Sequence, residues 1–198
     1  MKRIYLDYAS TTPCDPSVAE LMTKFLTFDG EFGNPASRSH SFGWEADQAI
    51  DTARQQVATL INAEPEQIIF TAGATDGLNI VATWSQSVEH VFITDSEHTA
   101  NILPWVGHGR TIDNGRLIVL PTDNDGSIDL QEADKALAKH PGSVLSIIAT
   151  SNVTGATTNW ATLANMAKQY GTTVCVDACQ TISSHAMDMK NNPNVDFA

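Results

Sequence analysis

Short runs of apolar, β-branched residues alternate with helix-period patterns along most of this chain, and that alternation restricts its fold more than any other feature. The runs are Gln67 to Thr71, His90 to Thr94, Arg116 to Leu120, Val144 to Thr150, Thr173 to Asp177 and Val195 to Phe197. Several are apolar at successive positions, as expected of strands covered on both faces. Between them the helices mark their own ends. Asp15-Pro16 pairs an N-cap with a proline at the first helical position, and Val18, Leu21, Met22 and Phe25 form one apolar stripe. Ile50, Ala53, Val57 and Leu60 form a second stripe that closes at Asn62. Leu130, Ala133 and Leu137 follow the turn Asp123-Asn124-Asp125-Gly126. Asn159 is placed to cap a further helix that runs through Leu163 and Ala167 to Tyr170 and stops at Gly171. The pattern predicts an α/β fold, a mostly parallel sheet with helices on both faces. Residues 1–15 precede the alternation and are expected to pack as a smaller, separate piece, with residues 16–198 forming the main domain.

Charge and cysteine usage narrow the function classes. Eleven basic residues against twenty-three acidic ones give a net charge of −12, and the arginines Arg3, Arg38, Arg54, Arg110 and Arg116 are scattered. A phosphate backbone would repel such a surface, so direct nucleic-acid binding is not expected. No apolar run reaches the roughly 18 residues of a membrane span, and Asp7 interrupts the N-terminal apolar stretch, so a soluble cytoplasmic protein is expected. Cys14, Cys175 and Cys179 form neither a C-x-x-C pair nor a zinc-ligand set, and no metal site is expected.

Four segments carry candidate chemistry. Thr71-Ala72-Gly73-Ala74-Thr75-Asp76-Gly77 lies between a strand and a helix, where small residues let backbone N–H groups approach an anion at a helix N-terminus. It is neither a dinucleotide fingerprint nor a P-loop, and it reads equally well as a tight strand–helix turn. Val176-Asp177-Ala178 puts a carboxylate at the C-terminal end of a buried strand, where it needs a partner. A pyridinium nitrogen would serve, as would a structural ion pair or a helix cap. Glu97-His98 and Ser151-Asn152 also follow strands. His98 could stack on a planar ring or cap a helix. Asn152 could bind a ring hydroxyl or simply make a turn.

In these residues the sequence resembles a known superfamily. Ile4 to Pro13 resembles the opening of the class V aminotransferases, and Phe32-Gly33-Asn34-Pro35-Ala36-Ser37-Arg38-Ser39-His40 with Gly43-Trp44 resembles the housekeeping iron–sulfur cysteine desulfurases. The likeness continues in order through Gly73-Ala74-Thr75, Glu97-His98, Asn152 and Asp177 to Gln180. It implies the large domain of a fold type I pyridoxal-phosphate transferase, with residues 1–15 a piece of its small domain. It also implies roles: Ala74 and Thr75 on the cofactor phosphate, His98 on the ring and in proton transfer, Asn152 and Gln180 at the ring hydroxyl, Asp177 at the ring nitrogen. The implied activity is conversion of L-cysteine to alanine with persulfide transfer to iron–sulfur scaffold or other acceptor proteins, in a homodimer.

Departures from the family pattern temper that expectation. The sequence ends before the segment that in the family carries the Schiff-base lysine, and the family's nucleophilic cysteine matches none of Cys14, Cys175 or Cys179. Ala72 stands where serine is common, and Ala149-Thr150 where His-Val is usual. The expectation is a chain inactive by itself that works with a homodimeric partner or a C-terminal half. Another class V aminotransferase, a selenocysteine lyase and a non-catalytic partner protein are the rival readings.

Overall fold

The computed structural model describes residues 3–198. The chain forms two compact units, Met1–Ile69 and Phe70–Ala198.

In the first unit, helix α1 (Pro16–Lys24) starts at Asp15, whose carboxylate accepts from the Ser17 N–H at 2.8 Å and its hydroxyl at 2.6 Å. Its predicted stripe is present, yet no residue of this helix is buried. Helix α2 (Ser41–Leu60) is capped by the imidazole Nδ1 of His40, which accepts from the Gly43 N–H at 3.2 Å. Gly43 is buried against the Ser37 carbonyl, which leaves no room for a Cβ. Just beyond the helix, Asn62 adopts a positive φ of 50°, a conformation asparagine tolerates at a helix exit.

The second unit holds the sheet. Its strands are β1 (Val91–Thr94), β2 (Leu117–Leu120), β3 (Val144–Ile148) and β4 (Thr173–Asp177), all parallel, in the order β2-β1-β3-β4. Helix α3 (Ala74–Trp84) precedes β1, and α4 (Thr99–Gly107), α5 (Leu130–Lys139) and α6 (Trp160–Lys168) lie between successive strands in the chain. Every residue of β1 and β3 is buried, which is why their sequences run apolar without alternating. Trp105, Phe92, Leu145 and Val174 are among the side chains closed completely to solvent. Buried Arg110 closes the end of the unit away from the strand C-termini, donating to the Ser85 carbonyl at 2.7 Å and the Val88 carbonyl at 2.6 Å.

Three expectations need correction. Gln67 to Thr71 is not a strand: Pro65–Gln67 is a 3-10 turn, and the following residues join no ladder, leaving Ile69 and Phe70 exposed. An apolar run becomes a strand only beside a neighbour that completes its hydrogen bonds. Val195 to Phe197 makes a single parallel bridge, Phe197 with Cys175, rather than a strand. Asn159 begins α6 but does not cap it with its side chain, which instead bonds both backbone groups of Ile128, at 3.3 and 3.2 Å.

Candidate functional site

The order β2-β1-β3-β4 sends the chain to one side of β1 and then across to the other. In parallel sheets the crevice at such a reversal, at the carboxyl ends of the strands, is where ligands bind. Here the reversal lies between β1 and β3. The pairing loosens toward that end: β1 and β3 pair through two residues, against four for β1–β2 and five for β3–β4.

Three of the sequence-derived candidates sit at or just beyond the ends of strands: His98 after β1, Asn152 after β3 and Asp177 at the end of β4. His98 is exposed and is the N-cap of α4, its Nδ1 accepting from the Ala100 N–H at 3.2 Å. An acceptor Nδ1 puts the proton of the neutral ring on Nε2. The capping and ring-contact readings of this histidine are therefore compatible, since the cap uses one nitrogen only. Asn152 is half-buried in a tight loop closed by Gly155 N–H to Ser151 carbonyl at 2.9 Å, with Gly155 at a φ of 72°. Asp177, the last residue of β4, is 8% exposed, and its Oδ1 accepts from the Cys179 N–H at 3.0 Å. Gln180 follows in the same turn, half-buried, and Thr181 ties that turn to the end of β3 by a 2.9 Å hydroxyl bond to Thr150.

Ala74 and Thr75 open α3 and are exposed. The helix is capped by Gly73 at a φ of 152°, without any side-chain hydrogen bond. Nothing lies within 4 Å of where a Cβ on Gly73 would stand, so the space over this first turn is open. Asp76 in the same turn reaches back to accept from the Ala72 N–H at 3.2 Å. Thr75 also lines a cleft of about 360 Å³ between α3 and α4, with Asn79, Ala100, Leu103, Pro104 and His108. That cleft shares no other candidate residue.

The ion pairs among the described residues involve other carboxylates, and none includes Asp177. A buried carboxylate at a strand end, with one backbone donor and no cationic partner, suits a protonated ring nitrogen. The open, glycine-capped first turn of α3 suits a phosphate. These residues fit pyridoxal phosphate. Among the described residues no group of three or more His, Cys, Asp or Glu side chains could hold a metal ion, and no helix is long and apolar enough to cross a membrane.

Cys179 adjoins the site but is poorly suited to nucleophilic work. Partial burial of its thiol, and next the negative Asp177 carboxylate, push it up to about 12. Alkylation of Cys179 at pH 8 is therefore expected to run on the order of a hundredfold or more slower than that of a free thiol, because so little thiolate is present. Peptide mapping after timed iodoacetamide labelling measures this. Labelling at the rate of free cysteine would contradict it.

Sequence reasoning gave Glu97 no role, yet its carboxylate sits in the β1/β3 crevice. Oε1 accepts from the Thr94 hydroxyl at 2.6 Å, the Thr94 N–H at 3.4 Å and the Ile148 N–H at 2.9 Å, while Oε2 accepts from Asn101 Nδ2 at 2.7 Å. Burial lifts its protonation above the ordinary glutamate range, and these donors hold it back only in part. No local signal marked it, since Glu97 precedes His98, the N-cap of α4, and shares no helix face with Asn101.

Comparison with known proteins decides the family. The model of the class-V aminotransferases matches residues 4–198. The chain belongs to the aminotransferase class-V family. Within it, the chain is 39% identical over 191 residues to the cysteine desulfurase IscS of Cronobacter sakazakii, covering 94% of this chain and 46% of that protein. It is 38% identical to the cysteine desulfurase IscS of Klebsiella pneumoniae over the same shares. The chain thus spans about half the length of the curated relatives it matches. Among solved structures, a NifS-like protein superposes with a TM-score of 0.84 at 28% identity, over 96% of this chain and 52% of that one. A cysteine desulfurase from Thermococcus onnurineus superposes equally well, with a TM-score of 0.84 at 25% identity, over 98% of this chain and 49% of that one. The α/β architecture is therefore that of these desulfurases, and enzymes of this class-V family use pyridoxal phosphate.

Proposed function

We propose that this chain forms the cofactor-holding half of a cytoplasmic, pyridoxal-phosphate-dependent cysteine desulfurase, acting on L-cysteine and passing sulfur to iron–sulfur scaffold or other acceptor proteins. The observation that carries the reading is the buried, cation-free carboxylate of Asp177, beyond which the same sheet edge presents His98 and Asn152. In this reading residues 1–15 belong to a small domain and residues 16–198 to the large one.

The cofactor, when bound, supplies an electron sink for bonds broken at the α-carbon of the amino acid. The chain's own groups hold and tune it. Backbone N–H groups and the hydroxyl of Thr75, with Ala74, take the phosphate at the positive end of α3. Asp177 keeps the ring nitrogen protonated. Asn152 and Gln180 hold the ring hydroxyl. His98 covers the ring, with its Nε2 free to carry or deliver a proton.

The described lysines lie on helices or in a turn, and none follows a strand directly: Lys24 on α1, Lys135 and Lys139 on α5, Lys168 on α6, and Lys190 in a C-terminal turn. Lys135 and Lys168 are held by Glu132 and Asp196. Borohydride reduction of the chain with pyridoxal phosphate is therefore expected to modify no single lysine stoichiometrically. Peptide mass mapping checks this, and one dominant adduct would contradict it.

Activity is tested by co-expressing the chain with the part of a full-length relative that it does not span. The pair should release sulfide from L-cysteine, and Cys179→Ala should leave the rate unchanged. A pair that assembles and binds cofactor but releases no sulfide, while deaminating other amino acids, would overturn the desulfurase reading.

A further inference from the structure

Beneath the strand ends runs a buried polar chain that crosses three elements of the fold. It begins at Thr94, the last residue of β1, passes through the Glu97 carboxylate to Asn101 in the first turn of α4, and ends at Ser146 of β3, whose hydroxyl donates to Asn101 Oδ1 at 2.5 Å. Thr94, Asn101 and Ser146 are each at most 1% exposed. A polar chain this deep in an apolar core is costly unless every member is paired, and among these bonds every member is.

The position of Glu97 in that chain is what gives it consequence. The ladder between β1 and β3 stops after Phe92 and Leu145, and the Ile148 N–H turns to Glu97 Oε1 rather than to a neighbouring strand. The carboxylate thus takes the place of missing backbone pairing at the very crevice where the sheet order reverses. It also holds both ends of the segment that presents His98: Thr94 four residues before it, by two bonds, and Asn101 three residues after it, by one. The His98 imidazole accepts from the Ala100 N–H through Nδ1, and its backbone carbonyl accepts from the Asn101 N–H at 2.8 Å.

We propose that Glu97 is a positioning residue that fixes the orientation and tautomer of His98, by clamping the β1–α4 turn to the end of β3. With the turn clamped, Ala100 N–H stays aimed at Nδ1 and the neutral ring carries its proton on Nε2, facing away from the helix. With the clamp removed, the turn frees α4's first N–H groups from the ring, and the neutral ring samples both tautomers. The inference relies on the functional reading only for its consequence, since the ring's tautomer is measurable with no cofactor present.

The test is nitrogen-15 NMR of histidine-labelled chain at pH 8, comparing the parent with Glu97→Gln, Glu97→Leu and Thr94→Val. The parent should show His98 as one tautomer, with Nδ1 in the unprotonated range and Nε2 in the protonated range. Glu97→Leu should bring the two shifts toward each other, and Glu97→Gln, which keeps one acceptor oxygen, should recover most of the parent pattern. Thr94→Val keeps the shape and removes one donor to Glu97, and should move the shifts in the same direction by less. It also serves if Glu97→Leu does not fold. A role in stability alone would lower the unfolding midpoint without moving the ring shifts, so a folded Glu97→Leu protein with parental His98 shifts, or a folded Thr94→Val protein with them if Glu97→Leu does not fold, would overturn the proposal. A cofactor that fails to contact His98 would instead sink the functional reading and leave this one standing.

Discussion

In an enzyme assembled from this chain and the remaining half of its relatives, Asp177→Ala and Asp177→Asn should each cut cysteine-dependent sulfide release by about two to three orders of magnitude, the scale on which removal of a preorganised charge or donor acts in a dry site. The two variants are chosen to separate charge from shape. Asparagine keeps an oxygen for the Cys179 N–H that Asp177 now holds at 3.0 Å, so the turn after β4 should survive. Alanine loses that bond as well, at a cost of about 1 kcal/mol in stability. Equal loss of turnover with unequal loss of stability would assign the effect to the missing negative charge. Asparagine retaining parental turnover would remove Asp177 from the ring nitrogen.

The second large effect is on folding. Glu97→Leu leaves the N–H groups of Thr94 and Ile148 and the amide of Asn101 buried with no acceptor. At roughly 1–3 kcal/mol for each unsatisfied buried donor, less whatever relaxation recovers, the loss should be about 3–5 kcal/mol. That is a large part of the stability of an ordinary domain. Denaturant titration of parent and variant measures it, and a loss below about 1 kcal/mol would mean the donors find other partners.

Glu97 also makes stability depend on pH with a definite sign. Burial raises its protonation point in the folded chain above the ordinary value of 4.5, so the folded state holds this proton more tightly than the unfolded one. Its contribution is fully present below the ordinary glutamate range and is lost as pH rises through the raised folded value. The Thr94 hydroxyl, which is 3.0 Å from Ser96 Oγ, can turn to accept from a protonated Glu97, so the network stays paired in either state. The stability of the parent relative to Glu97→Gln should therefore fall as the pH is raised from 4.5. A difference that grows over that range would show that the four donors outweigh burial.

Much of the fold was legible because its signals are local. The four strands of the sheet were placed to within two residues at either end, since buried parallel strands leave apolar runs such as Val91 to Ile93. Asp15 capped α1 as its sequence implied, because an Asp-Pro pair carries the cap and the helix start together. Where the outcome depended on distant partners, sequence failed. Ile68 to Phe70 has a strand's composition and no strand beside it, and Asn159 found the backbone of Ile128, thirty-one positions away, more rewarding than its own helix. The site divides in the same way. The placement of Asp177, His98 and Asn152 at or beside strand ends was readable because the strands themselves were. Glu97 was not, because nothing local reveals that a carboxylate will be drawn inward to replace the pairing that β1 and β3 lack.

The central claim is that these strand ends and the first turn of α3 hold pyridoxal phosphate, and amide and side-chain NMR of the chain during titration with that compound tests it most directly. The account predicts shifts concentrated at Ala74 and Thr75, the His98 ring, Asn152, Asp177 and Gln180, with the Ala74 and Thr75 shifts lost when pyridoxal replaces the phosphate and the Asp177 shifts lost when inorganic phosphate is used alone. Shifts that spread over surface lysines with these six residues unmoved would contradict it.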